Sequence, residues 1–212
     1  MVEKLPKICE FDGVLFMVKT TPAIILSAGY SRRLGKPKAL VEVSGKTLLE
    51  HAINKLQFAG CNPIIIVVNQ ELQYDALLLS NGSTIVVNKD PDKGRTGSLK
   101  VGLQSLQIEF GRVPNKVIMC PVDRPGWKAS HIKQLLAQVE SSCLADGERN
   151  GHPVSIVKND LEAVIMANDD KPLKEIVTFE PVTVSNSLLS LNIDTDADKL
   201  KLNKNAEFFS KL

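Results

Sequence analysis

Residues 26–40 read LSAGYSRRLGKPKAL, and the run that feeds them, AIIL (23–26), is wholly apolar. Such a run predicts a strand covered on both faces. It passes into a turn punctuated by Gly29 and Gly35 and carrying four cations, Arg32, Arg33, Lys36 and Lys38. A loop that leaves a parallel strand opens at the strand's carboxyl end, where doubly wound sheets bind ligands. The glycines let the backbone approach a ligand closely, so that peptide N–H groups can face phosphate oxygens. Arg33 and Lys38 would add charge-assisted hydrogen bonds to a polyphosphate. The stretch therefore predicts an anion-holding loop, against the alternative of a solvated loop with fortuitous cations.

Spacing excludes the two common phosphate loops. A Walker A motif needs G-x-x-x-x-G-K-[ST], whereas five residues separate Gly29 from Gly35, and Lys36 precedes Pro37. The GKT at 45–47 has Leu40 where the first glycine should stand. No G-x-G-x-x-G follows the strand, so the dinucleotide fingerprint is missing as well.

Outward from the loop, short apolar runs alternate with helical patterns. The runs are PIIIVV (63–68), TIVV (84–87), KVIMC (116–120) and PVSIV (153–157). In TLLEHAINKLQFAG (47–60), Leu48, Ala52, Ile53 and Leu56 share a face, Thr47 and Glu50 read as a capping box, and Gly60 reads as the stop. GSLKVGLQSLQIEFG (97–111) repeats the scheme with Leu99, Leu103 and Leu106. This rhythm predicts an α/β fold, a doubly wound, mostly parallel sheet with helices on both faces. Residues 8–17, ICEF-DG-VLFM, predict a hairpin, so the organisation expected is an N-terminal β-hairpin extension (1–20) before one main domain (21–212). The more irregular stretch 143–195 predicts edge strands and loops around a second-substrate site.

Composition narrows the classes of function. The 212 residues carry a net charge of +2, with 43% hydrophobic and 24% charged residues, ordinary globular values. Such a balance argues against a dedicated nucleic-acid binder and makes the basic cluster a local feature. Cys9, Cys61, Cys120 and Cys143 are scattered without a C-x-x-C pair, which predicts small reduced thiols in place of a disulfide or metal site. No apolar stretch reaches transmembrane length and MVEKLPKICEF lacks the apolar segment of a signal peptide, so no membrane association and a cytoplasmic location are expected. Three histidines form no evident metal cluster, and neither a Ser/His/Asp triad nor an activated cysteine is evident.

The pattern L-x-A-G-x-S-x-R-[ML]-G-x-x-K is matched by Leu26, Ala28, Gly29, Ser31, Arg33, Leu34, Gly35 and Lys38. It resembles the signature loop of glycosyltransferase-A-like, Rossmann-like nucleotidyltransferases, and within them the molybdenum-cofactor nucleotidyltransferases. Later segments are similar in the same order: GRTGSL (94–99), CPVDRP (120–125), GHPV (151–154) and NIDTDAD (192–198). The resemblance implies that the first loop wraps an NTP, with Leu26, Ser27, Ala28, Gly29, Ser31 and Gly35 as binding residues and Arg33 and Lys38 neutralising the triphosphate. It implies further nucleotide or substrate contacts at Gly97, Ser98 and His152, although a structural role explains a lone histidine at a loop-to-strand junction better. Arg124 stands where the family most often has glutamine, and Ala197 and Asp196 replace its Pro-Glu, which puts the acceptor in doubt more than the reaction type.

Asp123 follows the run KVIMCPV and should sit at a strand's carboxyl end, either holding Mg2+ or capping the turn before Pro125. A magnesium ion usually takes one or two carboxylates plus phosphate oxygens. Asp194 or Asp196 would supply the second carboxylate. Asp194, after LLSLNI, is preferred, while Asp196 and Asp198 suit the first turn of a final helix. The implied activity is Mg-dependent transfer of a nucleoside monophosphate to a small phosphate-bearing acceptor, with pyrophosphate leaving. Ala28 and GHPV lean toward the molybdopterin cytidylyltransferase branch, with CTP and molybdopterin cofactor as substrates. A sugar phosphate or other small phosphate acceptor, or a non-catalytic NTP-binding module, stands as the alternative.

Overall fold

The computed structural model describes residues 8–11, 14–17, 20–147 and 149–210. Its strands are β1 (Ile8–Phe11), β2 (Val14–Met17), β3 (Ala23–Ser27), β4 (Glu42–Val43), β5 (Lys46–Thr47), β6 (Ile64–Val68), β7 (Thr84–Val87), β8 (Lys116–Pro121), β9 (Ser142–Asp146), β10 (Arg149–Val157) and β11 (Glu180–Thr183). Its helices are α1 (Leu48–Phe58), α2 (Gln73–Leu79), α3 (Gly94–Phe110), α4 (Ala129–Ala137), α5 (Lys158–Met166), α6 (Asp196–Lys204) and α7 (Ala206–Ser210).

Seven strands form one sheet in the order β11-β9-β10-β8-β3-β6-β7. β3 pairs parallel with both β6 and β8, and β6 pairs parallel with β7. The chain therefore runs outward from β3 through β6 and β7, then returns to the other side of β3 as β8. This reversal opens a crevice at the carboxyl ends of β3 and β8, the place where such sheets bind ligands. β10 is antiparallel to β8 and β9, so the sheet is mixed on that side. β1 and β2 pair antiparallel from Ile8↔Met17 to Phe11↔Val14, and the expected turn at Asp12 and Gly13 lies outside the described residues.

The alternation of side chains across β3 explains why its run is continuously apolar. Ala23 and Ile25 enter a core beneath α1, α2 and α4, while Ile24 and Leu26 enter a second core beneath α3 and α5. β6 divides likewise, with Ile64, Ile66 and Val68 on one face and Ile65 and Val67 on the other. Each such Ile, Leu or Val side chain contributes about 1.5–3 kcal/mol by leaving water. α3 lies close on the sheet because Gly102 has no Cβ; one added there would stand 2.8 Å from Ile24 Cγ2.

α1 starts as its sequence dictates. Thr47 Oγ1 accepts from the Glu50 N–H at 3.2 Å, and Glu50 Oε2 accepts from the Thr47 N–H at 2.8 Å. That backbone hydrogen bond from Thr47 holds the Glu50 carboxyl below its usual range. Gly60, at φ 91°, ends the turn. Three boundaries differ from expectation. α3 begins at Gly94, three residues earlier than the apolar stripe implies, and the final helical stretch divides at Asn205 into α6 and α7. PVSIV is only the second half of β10, whose pairing with β9 shifts register between Asn150 and Val154.

Candidate active site

The basic loop leaves β3 beside the loop that leaves β8, because Leu26 and Pro121 are partners in register and the Val122 N–H donates to the Leu26 carbonyl at 3.0 Å. Ser31 organises the loop. It takes a left-handed backbone (φ 53°), and its carbonyl accepts from the N–H groups of Leu34 and Gly35 at 2.9 and 3.2 Å. Its hydroxyl accepts from the Lys38 N–H at 3.1 Å, which fixes the start of a single 3₁₀ turn, Lys38–Leu40. Gly35 (φ 70°) closes the loop in a conformation that favours glycine.

Between the two loops lies a cleft of about 240 Å³. Leu26, Ser27, Ala28, Gly29, Ser31, Lys38, Ser98 and Asp123 all border it. A Cβ built on Gly29 would meet nothing within 4 Å, so the backbone there faces open space. Ser98 Oγ accepts from Asn88 Nδ2 at 3.0 Å and donates to the Gly94 carbonyl at 3.2 Å, which anchors the first turn of α3 at the cleft.

Lys38 joins the charges. Its Nζ lies 3.1 Å from Asp123 Oδ2 and also contacts Asp194 Oδ1. Arg33 Nη2 approaches Asp194 Oδ2 at 3.5 Å, and Asn192 Nδ2 donates to that same oxygen. The hydrogen bond from Lys38, reinforced by the charges of Lys38 and Arg33, holds the Asp194 carboxyl below its usual range. Asp198 does not join this group. It forms a capping box with Thr195 at the start of α6, and its Oδ2 accepts from the Asp194 N–H at 3.1 Å. Asp196 contacts Lys199.

Not every anticipated residue borders the cleft. Arg33 and Asp194 line a shallower hollow beside it, which shares Ser31 and Lys38. Gly97 faces away: its N–H donates to the Asp169 carbonyl at 2.9 Å, and a Cβ there would stand 3.3 Å from Asp169 Cβ. It seats α3 on the 167–171 loop, as do Thr96 Oγ1 to the Lys171 carbonyl at 2.6 Å and Lys100 Nζ to the Ala167 carbonyl at 2.8 Å. Gly35 shapes the loop without lining the cleft.

A model of the MobA-like NTP transferase domain matches residues 23–184. The chain belongs to the MobA-like NTP transferase domain family. Membership makes nucleotidyl transfer the chemistry of this enzyme family. Nicotine blue oxidoreductase of Paenarthrobacter nicotinovorans is 28% identical over 145 residues, 63% of this chain and 69% of its own length. A molybdenum cofactor guanylyltransferase of Rhizobium johnstonii is 24% identical over 170 residues, 76% of each chain. A 2-C-methyl-D-erythritol 4-phosphate cytidylyltransferase of Rhodococcus opacus is 36% identical over 84 residues, 38% of this chain and 36% of its own length. Among solved structures, the homologue of Mycobacterium tuberculosis Rv0371c from Mycobacterium sp. strain JC1 superposes with a TM-score of 0.75 at 22% identity, covering 88% of this chain and 96% of that one.

In this MobA-like domain His152 lies outside that cleft, in an adjoining cavity of about 570 Å³. Arg95 borders both spaces. Its Nη1 lies 3.1 Å from His152 Nε2. Burial first, then the charges of Arg95 and Arg124, pushes the His152 imidazole down to about 3, so the ring is neutral at ordinary pH. Val154, Leu173 and Phe179 give this cavity an apolar floor. Arg95 carries no signal in its spacing beyond lying inside GRTGSL. Leu72 and Pro91 also border the cleft unannounced, although the asparagines that end both apolar runs, Asn69 and Asn88, mark where the chain turns back toward it. Among the described residues no three His, Cys, Asp or Glu side chains converge as a metal cage, and no helix is long and apolar enough to cross a membrane.

Proposed function

We propose that this protein transfers a nucleoside monophosphate, CMP in preference to GMP, from an NTP to a phosphate-bearing acceptor such as molybdopterin cofactor. The observation that carries the reading is the convergence of Asp123, Asp194 and Lys38 beside the cleft of the glycine-punctuated loop. Two carboxylates gathered on one ammonium are already arranged to share a cation. They suit Mg2+, which takes one or two carboxylates and completes its shell with phosphate oxygens and water. Asp123 and Asp194 would hold the ion, and when bound it supplies neutralisation of charge developing on the phosphates.

An oxygen of the acceptor's phosphate forms a bond to the α-phosphorus as the bond from that phosphorus to the bridging oxygen breaks. The bridging oxygen keeps the electron pair, and pyrophosphate leaves. An ionised phosphate needs no general base, so the protein's part is positioning and charge neutralisation. Lys38 and Arg33 turn to the triphosphate, the backbone from Leu26 to Ser31 aligns it, and Ser98 borders its far side.

A narrow cleft with Leu72 and Pro91 at its border supports a pyrimidine, as does the kinship with a cytidylyltransferase, while the guanylyltransferase relatives point the other way. Ala28 exposes only 3% and its methyl packs in the core beneath α3, so it acts on base choice by fixing the backbone. The apolar floor of the adjoining cavity favours a ring-bearing acceptor over a sugar. Binding of all four NTPs with magnesium, followed by pyrophosphate release with candidate acceptors, tests the reading. CTP should bind most tightly, and Ala28→Gly should relax that preference. Tighter binding of GTP or ATP removes the cytidylyl assignment, and absence of NTP binding removes the whole proposal.

A further inference from the structure

Lys55 lies on the buried side of α1, where only 2% of its surface meets solvent. It has no carboxylate partner among the described residues. Burying an ammonium without a counter-charge is costly, and a methionine would fill the same volume without that cost. Such breaches of the ordinary rules for a core are expected where a residue serves function.

The ammonium supplies a fixed point on the backbone. Lys55 Nζ donates to the Pro125 carbonyl at 3.0 Å, the same oxygen that accepts from the Trp127 N–H at 2.9 Å. Pro125 stands two residues after Asp123, in the turn that leaves β8. That turn is tied to β3 by the Val122 N–H and to Ile193 at the Asp123 carbonyl, so the Lys55 bond secures its far end. Aromatic rings hold the ammonium in its turn. Trp127 lies 5.1 Å from Nζ, and Phe209 and Phe208 of α7 lie at 5.0 and 5.7 Å. α7 is itself anchored, since the Ser44 hydroxyl donates to the Ala206 carbonyl at 2.7 Å and His51 meets Phe209 edge-on at 5.7 Å. The rings attract the cation by their faces and leave an N–H for the carbonyl.

We infer that Lys55 is a positioning residue for the carboxylate of Asp123: it pins the turn at Pro125 from within a ring cage that the C-terminal helix α7 completes. The role rests on the reading of Asp123 as an ion ligand in nucleotidyl transfer. Lys55 touches neither ion nor substrate and acts through the backbone of the turn. Losing it has two effects of opposite sign. Removal of a nearby positive charge favours a bound cation, whereas a turn released at Pro125 misplaces the carboxylate and weakens its hold.

The test titrates nucleotide-free protein with Mn2+, counted by loss of the free ion's EPR signal, beside CTP binding and magnesium-dependent pyrophosphate release. Lys55→Met keeps the volume and loses the donor. It should bind Mn2+ about tenfold more weakly, the lower end for partners that orient a metal's ligands. It should also need correspondingly more magnesium for half-maximal release, while CTP binding without magnesium matches the parent's and reports an intact fold. Phe209→Leu trims the cage and leaves Lys55, so it should weaken Mn2+ binding by less, and it carries the test if Lys55→Met does not fold. Leu161→Ala, a truncation in the core beneath α5, should lower the melting temperature and leave Mn2+ affinity unchanged. Unchanged or tighter Mn2+ binding in Lys55→Met or Phe209→Leu overturns the role, and so does an equal loss in Leu161→Ala. A parent that binds no Mn2+, or binds it no better than Asp123→Asn, removes the ion site and the role with it. Weaker Mn2+ binding in Lys55→Met, with no pyrophosphate release from the parent, sustains the role and refutes the transferase reading instead.

Discussion

The backbone N–H of Ile193 donates to the carbonyl of Asp123 at 2.9 Å, so two segments seventy residues apart in sequence are fastened at the point where each presents an aspartate. Ile193 itself is fully buried, which holds the neighbouring Asp194 against the strand-end loop. The pairing of Asp123 with Asp194 is thus a backbone property that survives loss of either carboxylate. Asp123→Asn and Asp194→Asn should each abolish magnesium-dependent pyrophosphate release with a melting temperature close to the parent's. Full turnover in either variant would exclude that carboxylate from the ion's ligands.

Lys38 keeps two carboxylates together, and its side chain is only 18% exposed. In Lys38→Met the carboxylates would repel with no ammonium between them. Apparent NTP affinity should fall by roughly 1–3 kcal/mol, the scale of a lost charged hydrogen bond. The variant should also gain more thermal stability from added magnesium than the parent does, because the ion relieves the repulsion. Calorimetry with and without magnesium checks both, and an equal magnesium effect in the two proteins would show that the ion does not take the place of the ammonium. Arg33 is largely exposed and touches Asp194 at 3.5 Å, so Arg33→Ala should lose less.

Gly126 is the contact point between the loop carrying Asp123 and the segment leading to Asp194. A Cβ there would stand 1.8 Å from the Leu188 carbonyl oxygen, and Asn186 Nδ2 donates to the Gly126 carbonyl. The obstacle is backbone, so it cannot swing aside. Gly126→Ala should destabilise by more than about 2 kcal/mol, at the severe end for a single change. Urea denaturation measures this, and a loss below about 0.5 kcal/mol, the scale of surface changes, would mean the two segments are free to separate.

Legibility in the sequence followed the range of each interaction. The apolar runs at 23–26 and 64–68 are covered on both faces and the edge run at 84–87 only in part, and period and propensity reveal such strands locally. The Thr47–Glu50 capping box spans four residues and was equally readable. β9 was not, because SCLAD has too little β-branched character, and its burial comes from β10 and β11 on either side. The basic loop and Asp123 could be read as strand-end features and Asp194 from the apolar LLSLNI before it, yet the ammonium bridge that joins them links Lys38 to residue 194. Gly97 misled because a glycine at a helix start near a phosphate loop looks the same whether it faces the ligand or, as here, the Asp169 loop.

Lys55 was invisible for another reason, since a lysine on an amphipathic helix is ordinarily solvated. Here it is 2% exposed, donates to the Pro125 carbonyl at 3.0 Å, and has the Trp127 and Phe209 rings at 5.1 and 5.0 Å from its Nζ. It has no carboxylate partner among the described residues, and desolvation lowers its pKa from 10.5 to about 8. The folded chain thus releases this proton at lower pH than the unfolded chain does. Between pH 8 and 10.5 the unfolded state binds more protons, so stability from this group rises with pH. Below pH 8 the full cost of burying the charge applies, about 3 kcal/mol at 1.36 kcal/mol per unit. Lys55→Met loses the carbonyl contact and the ring contacts at every pH, but it also loses this slope. The stability of the parent minus that of Lys55→Met should therefore climb by about 3 kcal/mol across the window, measured by urea denaturation at pH 7.5, 9 and 10.5. Taking the difference removes the opposite contribution of Cys61 and Cys120, whose thiols burial pushes up. A flat difference would mean that Lys55 keeps an ordinary lysine's affinity for its proton, with its charge fully satisfied by the Pro125 carbonyl and the rings.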